Sequence, residues 1–265
     1  MHKFLLIIAT CFLIFSLLPG SLATVADEMN LDNTPREYDG YQQGVRGKQP
    51  KLFFPLEYIR DYQCLVVGPG DSREVYLTLD VGEEGYVREI LDLLAQEQVP
   101  AAFFITGSFI TEFPDLVIRM YSEGHVIGNH TMSHQLLPSH QGPRELWEEL
   151  IGVDQLLLEL GIKPNPFMRP PQGIYSQRTL ALSHNWGYIN VFWSLTYADG
   201  DLTNQPTPQV LTASILEQIH PGAIIMLHSF SPATRDALPG IIQEISQEYT
   251  FASLSKFLHE RESRP

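Results

Sequence analysis

Short apolar runs that stop at one polar, chemically competent side chain recur along this chain. Val75-Tyr76-Leu77-Thr78-Leu79 ends at Asp80, and His125-Val126-Ile127-Gly128-Asn129 ends at His130, with His134 four residues on. Phe167-Met168 leads to Arg169, residues 190–195 approach Asp199, and Ala223-Ile224-Ile225-Met226-Leu227 stops at His228. Runs of this length bounded by turn residues are the pattern of strands buried on both faces of a parallel sheet. A side chain at the exit of such a strand faces the mouth of an α/β barrel, where active sites are assembled. One such residue is chance; the repetition predicts an enzyme.

Between these runs the apolar spacing changes to that of helices. Val87, Ile90, Leu91 and Leu94 share one face of a helix over residues 86–94. Pro100 opens a short strand over 101–105, and a helix over 109–122 follows, bent or started near Pro114 and capped by Gly124. The clearest helix spans 145–160, with Leu146, Leu150, Val153, Leu157 and Leu160 on one side and Gly161 as its stop. Further elements are expected over 176–186, 188–195, 208–219, 223–227, 237–245 and 249–251, with a last helix ending near Glu260. About seven βα units of this kind place the chain in the α/β class, as a distorted (β/α) barrel, closed or incomplete. An open doubly wound sheet is the structural competitor.

The ends of the chain read differently. Lys3, the apolar stretch 4–18 and Ser21-Leu22-Ala23 have the layout of a secretory signal peptide over residues 1–23. The stretch is short for a spanning helix, so membrane attachment is expected only if this segment stays uncleaved. The expected location is extracytoplasmic, at the cell wall or membrane. Residues 24–73 form an N-terminal linker or extension: 24–50 are polar and aperiodic, an extended linker or mobile arm, and 52–67 pack as a lid or strand. Residues 74–265 form the catalytic domain. With Cys11 in the signal segment, Cys64 is alone and no internal disulfide can form. A formal charge of −14 repels phosphate backbones and excludes nucleic acid as a partner, but not a glycan met through hydroxyls, amides and ring faces.

Several of the exit residues have bland readings when taken singly. Asp80 before Val81-Gly82 could simply cap the next helix. His130 and His134 could be structural, although on one helical turn, or a loop curled like one, both imidazoles face a common point suited to a divalent metal. Arg169 leads a rigid Pro170-Pro171-Gln172-Gly173 turn whose N–H groups at Gln172 and Gly173 are free to point inward, and its guanidinium could hold a carboxylate through paired bonds. His228 with Asp199 as partner becomes a proton donor of raised pKa.

Taken in order, these segments resemble the polysaccharide deacetylases of carbohydrate esterase family 4, and within them the delta-lactam-biosynthetic, spore-cortex peptidoglycan de-N-acetylases. The resemblance spans roughly residues 74–258. Thr78-Leu79-Asp80-Val81-Gly82 stands where the family has Thr-Phe-Asp-Asp-Gly, and Asn129-His130-Thr131-Met132-Ser133-His134 stands at its metal motif. Arg169-Pro170-Pro171-Gln172-Gly173 is similar to the arginine motif, and residues 190–195 and 225–229 to the fourth and fifth motifs. The resemblance implies Asp80 as the base activating the hydrolytic water, Arg169 as its orienting partner and His228 as the acid for the leaving amine, tuned by Asp199. It also implies His130 and His134 as ligands of a divalent metal cation, and the Gln172 N–H as a donor to the oxyanion.

Two departures stand out. Val81 replaces an aspartate that many relatives use as a third metal ligand, and Gly200 replaces a tryptophan that walls the groove. Glu83 or Glu84 could supply a substitute oxygen, or could merely solvate a helix N-terminus. The expected reaction is hydrolysis of the acetamide of an amino sugar in peptidoglycan, N-acetylmuramic acid by resemblance. The alternatives are a glycan-binding module on an impaired deacetylase scaffold and a chitin or N-acetylglucosamine deacetylase.

Overall fold

The computed structural model describes residues 27–258 apart from Asp39, Gln43 and Gln141. The expected signal segment and the end of the last helix lie outside the described residues. Two short strands, β1 (Arg36–Glu37) and a later β6 (Ile174–Tyr175), pair antiparallel outside the main sheet. The main sheet contains β2 (Glu74–Val81), β3 (Ala101–Ile105), β4 (Val126–Asn129), β5 (Phe167–Met168), β7 (Ile189–Asn190), β8 (Leu195–Thr196) and β9 (Ile224–His228). Its order is β7-β5-β4-β3-β2-β9-β8 and its pairings are parallel. A short β10 (Thr250–Phe251) joins the start of β2.

Connectivity forces this sheet to curl. β7 and β8 lie at opposite edges, yet only residues 191–194 separate Asn190 from Leu195. Five extended steps reach at most about 18 Å. Seven flat strands spaced at about 4.8 Å would set the edges about 29 Å apart. The sheet is therefore an incomplete barrel, and the α/β assignment holds. The continuous strand expected over 188–195 does not form, because residues 191–194 cross between the two edges instead of pairing along one.

Period-2 alternation sorts the strand residues into two layers. Leu77, Leu79, Val81, Phe103, Ile105, Ile225 and Leu227 pack outward in one core. They meet α2 (Val87–Glu97), α4 (Pro114–Ser122), α7 (Pro208–Gln218) and α8 (Pro232–Ile245) through Ile90, Leu94, Val117, Ile215 and Ile241. Tyr76, Phe104, Phe167, Ile224 and Met226 belong to a second, inner core. The helix expected over 109–122 is split into α3 (Gly107–Glu112) and α4, because Pro114 starts a new helix at its first position. The helix expected over 145–160 is α5 (Pro143–Glu159), and α6 (Gln177–Asn185) starts at a Ser176–Thr179 capping box.

The N-terminal segment differs from expectation. Rather than a mobile arm, residues from Asp27 onward lie against the barrel. Tyr38 stacks on Phe192 at 4.5 Å between centroids and donates its hydroxyl to the Trp193 carbonyl at 2.5 Å, and Phe54 packs on both Tyr38 and Phe192. Residues 52–67 contribute α1 (Leu56–Asp61) rather than a strand. The physical reason is volume: the short edge strands leave the interior underfilled, and native packing density requires large side chains from elsewhere. Polar composition hid the few aromatics that do this.

Candidate active site

The alternation that buries Leu79 outward turns Thr78 and Asp80 inward, and the same parity aims His228 into the barrel mouth. Asp80 and His228 are in-register partners on the adjacent strands β2 and β9. Arg169, one residue beyond β5, is fully buried beneath them. Its Nη1 donates to Asp80 Oδ1 at 2.5 Å, its Nη2 to Thr78 Oγ1 at 2.9 Å and the Phe192 carbonyl at 3.3 Å, and its Nε to the Val191 carbonyl at 3.0 Å. The guanidinium also lies 4.1 Å from the centre of the Phe104 ring. The paired, two-bond grip expected from sequence is thus a single bond to Asp80, with the remaining donors spent on fixing the arginine itself. Burial works to raise the Asp80 pKa, but the charge of the Arg169 guanidinium above all, with the neighbouring imidazoles, outweighs it and holds the carboxyl below its ordinary range.

His130 and His134 do converge, but on a loop rather than a helical turn. Thr131 and His134 adopt left-handed backbone at φ 69° and 58°, which brings the two rings to 4.8 Å between centroids. The His134 N–H donates to Thr131 Oγ1 at 3.0 Å, closing the loop. His130 Nδ1 lies 2.8 Å from the Arg169 carbonyl, which can only accept, so this nitrogen carries the proton and Nε2 keeps its lone pair. That Nε2 lies 3.7 Å from Asp80 Oδ2. Burial pushes the His130 pKa down to about 4, so the ring is neutral and able to coordinate at physiological pH. Two neutral imidazoles beside a carboxylate are a donor set that fits a divalent cation. Among the described residues, however, no group of three His, Cys, Asp or Glu side chains is gathered around one point. Val81 is fully buried in the outer core, and Glu84 is paired with Arg88 at 2.7 Å, leaving Glu83 as the acidic residue of that pair that borders the cleft.

His228 and Asp199 form the second dyad. Nδ1 of His228 is 2.8 Å from Asp199 Oδ1, and the His228 N–H donates to Asp199 Oδ2 at 2.8 Å. Thr234 Oγ1 donates to the same Oδ2 at 2.6 Å, and Asp199 is fully buried. Burial pulls the imidazole pKa down, but the hydrogen bond and charge of Asp199 more than compensate, and the net shift is upward. The ring packs 5.1 Å from Phe230. On its other side Gly200 leaves room: a Cβ there would stand 3.0 Å from His228 Cε1.

The cleft, about 620 Å³, is bordered by Asp80, His130, His134, Gln172, Trp193 and His228. Gln172 takes a left-handed φ of 55°, while the Gly173 N–H donates back to the Pro170 carbonyl at 3.0 Å. The expectation of free N–H groups at both Gln172 and Gly173 therefore fails at Gly173. Several supporting residues escaped the sequence reading. Thr78 was visible through its parity with Asp80. Thr234 and Gln205, whose Nε2 holds the Asp199 carbonyl at 2.6 Å, gave no signal, because their roles depend on loops meeting in space.

Comparison with known proteins identifies the relatives of this chain. Residues 68–191 match the polysaccharide deacetylase family model. The peptidoglycan-N-acetylmuramic acid deacetylase PdaA of Bacillus subtilis is 33% identical over 229 residues, covering 85% of this chain and 87% of that protein. A chitooligosaccharide deacetylase of Bradyrhizobium is 36% identical over 182 residues, 68% of this chain and 80% of that protein. The structure of B. subtilis PdaA, a family 4 carbohydrate esterase, matches with a TM-score of 0.82 at 33% identity, covering 87% of this chain and 100% of that one. With the fold, the motif order and these relatives in agreement, the chain belongs to the polysaccharide deacetylase family, carbohydrate esterase family 4.

Proposed function

We propose that this protein removes the N-acetyl group from N-acetylmuramic acid in peptidoglycan outside the cytoplasm, in the service of delta-lactam formation in spore cortex. The observation that carries the reading is the in-register pair Asp80 and His228, each held by its own buried partner, beside two neutral imidazoles. Residues 1–23 serve as the export signal, 24–73 as an extension whose described residues pack on the barrel, and 74–265 supply the chemistry.

In this reading His130 and His134 hold a divalent cation, which when bound polarises the acetyl carbonyl and the attacking water. Asp80, ionised because Arg169 lowers its pKa, takes the proton from that water. Arg169 fixes the carboxylate in one orientation. The Gln172 N–H donates to the oxygen as negative charge develops on it. His228, whose protonated form Asp199 favours, gives its proton to the departing amine nitrogen. Carbon–nitrogen cleavage then yields acetate and the free amino sugar.

Acetate release from purified peptidoglycan fragments and from chitooligosaccharides, with and without chelator, tests the reading. Release from the muramic-acid fragments, lost with chelator and restored by added zinc, is expected. Preference for chitooligosaccharides would move the substrate to N-acetylglucosamine. Binding of fragments without release would replace the enzyme by a glycan-binding module, the reading that Val81, which offers no donor atom, favours.

A further inference from the structure

We propose that Met132 is the positioning residue for both imidazoles, seated as a peg between two glycines on separate helices. The inference rests on the assignment of His130 and His134 as metal ligands. Met132 lies midway between them. A Cβ on Gly107, the first residue of α3, would stand 2.2 Å from Met132 Sδ and 3.0 Å from its Cα. A Cβ on Gly152, inside α5, would stand 2.6 Å from Met132 Cγ and 2.8 Å from Sδ. Neither glycine adopts left-handed backbone, so neither is required by its dihedral angles. A glycine in the interior of a helix weakens it relative to alanine, and this one has a packing reason.

The surrounding hydrogen bonds explain why a displaced peg reaches the rings. The Gly107 N–H donates to the Thr131 carbonyl at 3.0 Å and the Ser108 N–H to the Met132 carbonyl at 3.2 Å. From the other helix, the Glu149 carbonyl accepts from the Met132 N–H at 2.9 Å. The Glu149 carboxylate takes both the Ser133 N–H at 2.9 Å and its hydroxyl at 2.7 Å. The loop is thus tied to α3 and α5 on either side of one side chain. Any change in the gap at Met132 shifts the backbone that bears His130 and His134 together. Thr131 and His134 already hold left-handed dihedrals, so the loop has few other conformations in which to absorb the shift.

A double-mutant cycle on the full protein tests this. Gly152→Ala favours the helix but forces Met132 aside, so the two effects offset each other and the thermal midpoint should stay the same or fall by a few degrees. In metal-free protein the ring-proton resonances of His130 and His134 should nonetheless move, and zinc affinity by calorimetry should fall roughly tenfold. In a Met132→Ala background, where the peg is gone, Gly152→Ala should change zinc affinity by less than about twofold. Unchanged resonances and affinity in Gly152→Ala, or an equal loss in both backgrounds, would overturn the proposal. A wild-type protein that binds no zinc, but whose histidine resonances shift in Gly152→Ala and not in the double variant, would retire the metal assignment and leave Met132 as the residue that sets the two rings.

Discussion

Asp80 and His228 face each other across one strand spacing, in register on β2 and β9, while their pKa values are driven in opposite directions. The guanidinium beneath it favours the ionised carboxyl, and the carboxylate behind it favours the protonated imidazole. An acid and a base with separate partners can coexist this close without neutralising each other, which is the condition for moving a proton in at one point and out at another.

Asp80→Asn should lower acetate release by about 100- to 10,000-fold. It should not leave the fold untouched: Arg169 is fully buried, and losing its counter-charge is expected to cost about 3–5 kcal/mol. Denaturant unfolding alongside the acetate assay checks both. Equal stability of the two forms would mean that Thr78 and the carbonyls of Val191 and Phe192 suffice to hold the charge.

Asp199→Asn should return His228 toward or below its ordinary value. The sign follows from the raised folded-state pKa. Stability from the protonated imidazole is fully present below about pH 6.5, the unfolded value, and fades as pH rises through the folded value. The variant should lose that pH-dependent component and move the alkaline limb of the kcat profile downward. Titration of the His228 ring by NMR reads the shift directly, and an unmoved titration would deny Asp199 its tuning role.

Val81→Asp restores a donor atom but places it in the outer apolar core, where Val81 has no exposed surface. Metal-free protein should be destabilised by about 1–3 kcal/mol or more by the unpaired carboxylate. Added zinc should recover the loss. Thermal midpoints measured with and without zinc separate the two effects, and no zinc-dependent recovery would show that the side chain cannot reach the imidazoles.

Gly200→Trp should slow turnover rather than improve binding, because even its Cβ would press within 3.0 Å of His228. A fall in kcat of about tenfold or more at unchanged KM is expected, the sign of an interaction lost only in the transition state. A lower KM with intact kcat would show that the groove accepts a wall on that side.

Most of the candidate site was legible because it sits at strand exits, where a period-2 pattern fixes both the strand and the direction of its last side chain. Asp80, His130, Arg169 and His228 each inherit their inward aim from the apolar residues before them. Interactions made between loops were not legible. Thr234 meets Asp199, Gln205 holds its carbonyl and Glu149 grips Ser133 because separate segments meet in space. The packing of the stretch before residue 50 was missed for a related reason. Tyr38 is an isolated aromatic in a polar stretch, and although Phe54 belongs to the apolar run Leu52-Phe53-Phe54, nothing local indicates that a barrel needs either.

The crossing at residues 191–194 also sets an order of events. β9 lies between β2 and β8, so the strand that carries His228 is among the last made yet must enter between strands made earlier. Until it does, Asp80 has no neighbour on that side and the chain between β7 and β8 spans an open gap. A ribosome-bound chain that stops short of β9 would therefore hold Asp80, His130 and Arg169 but not His228. The centre comes into being only once the chain has emerged past His228 and β9 has entered the sheet.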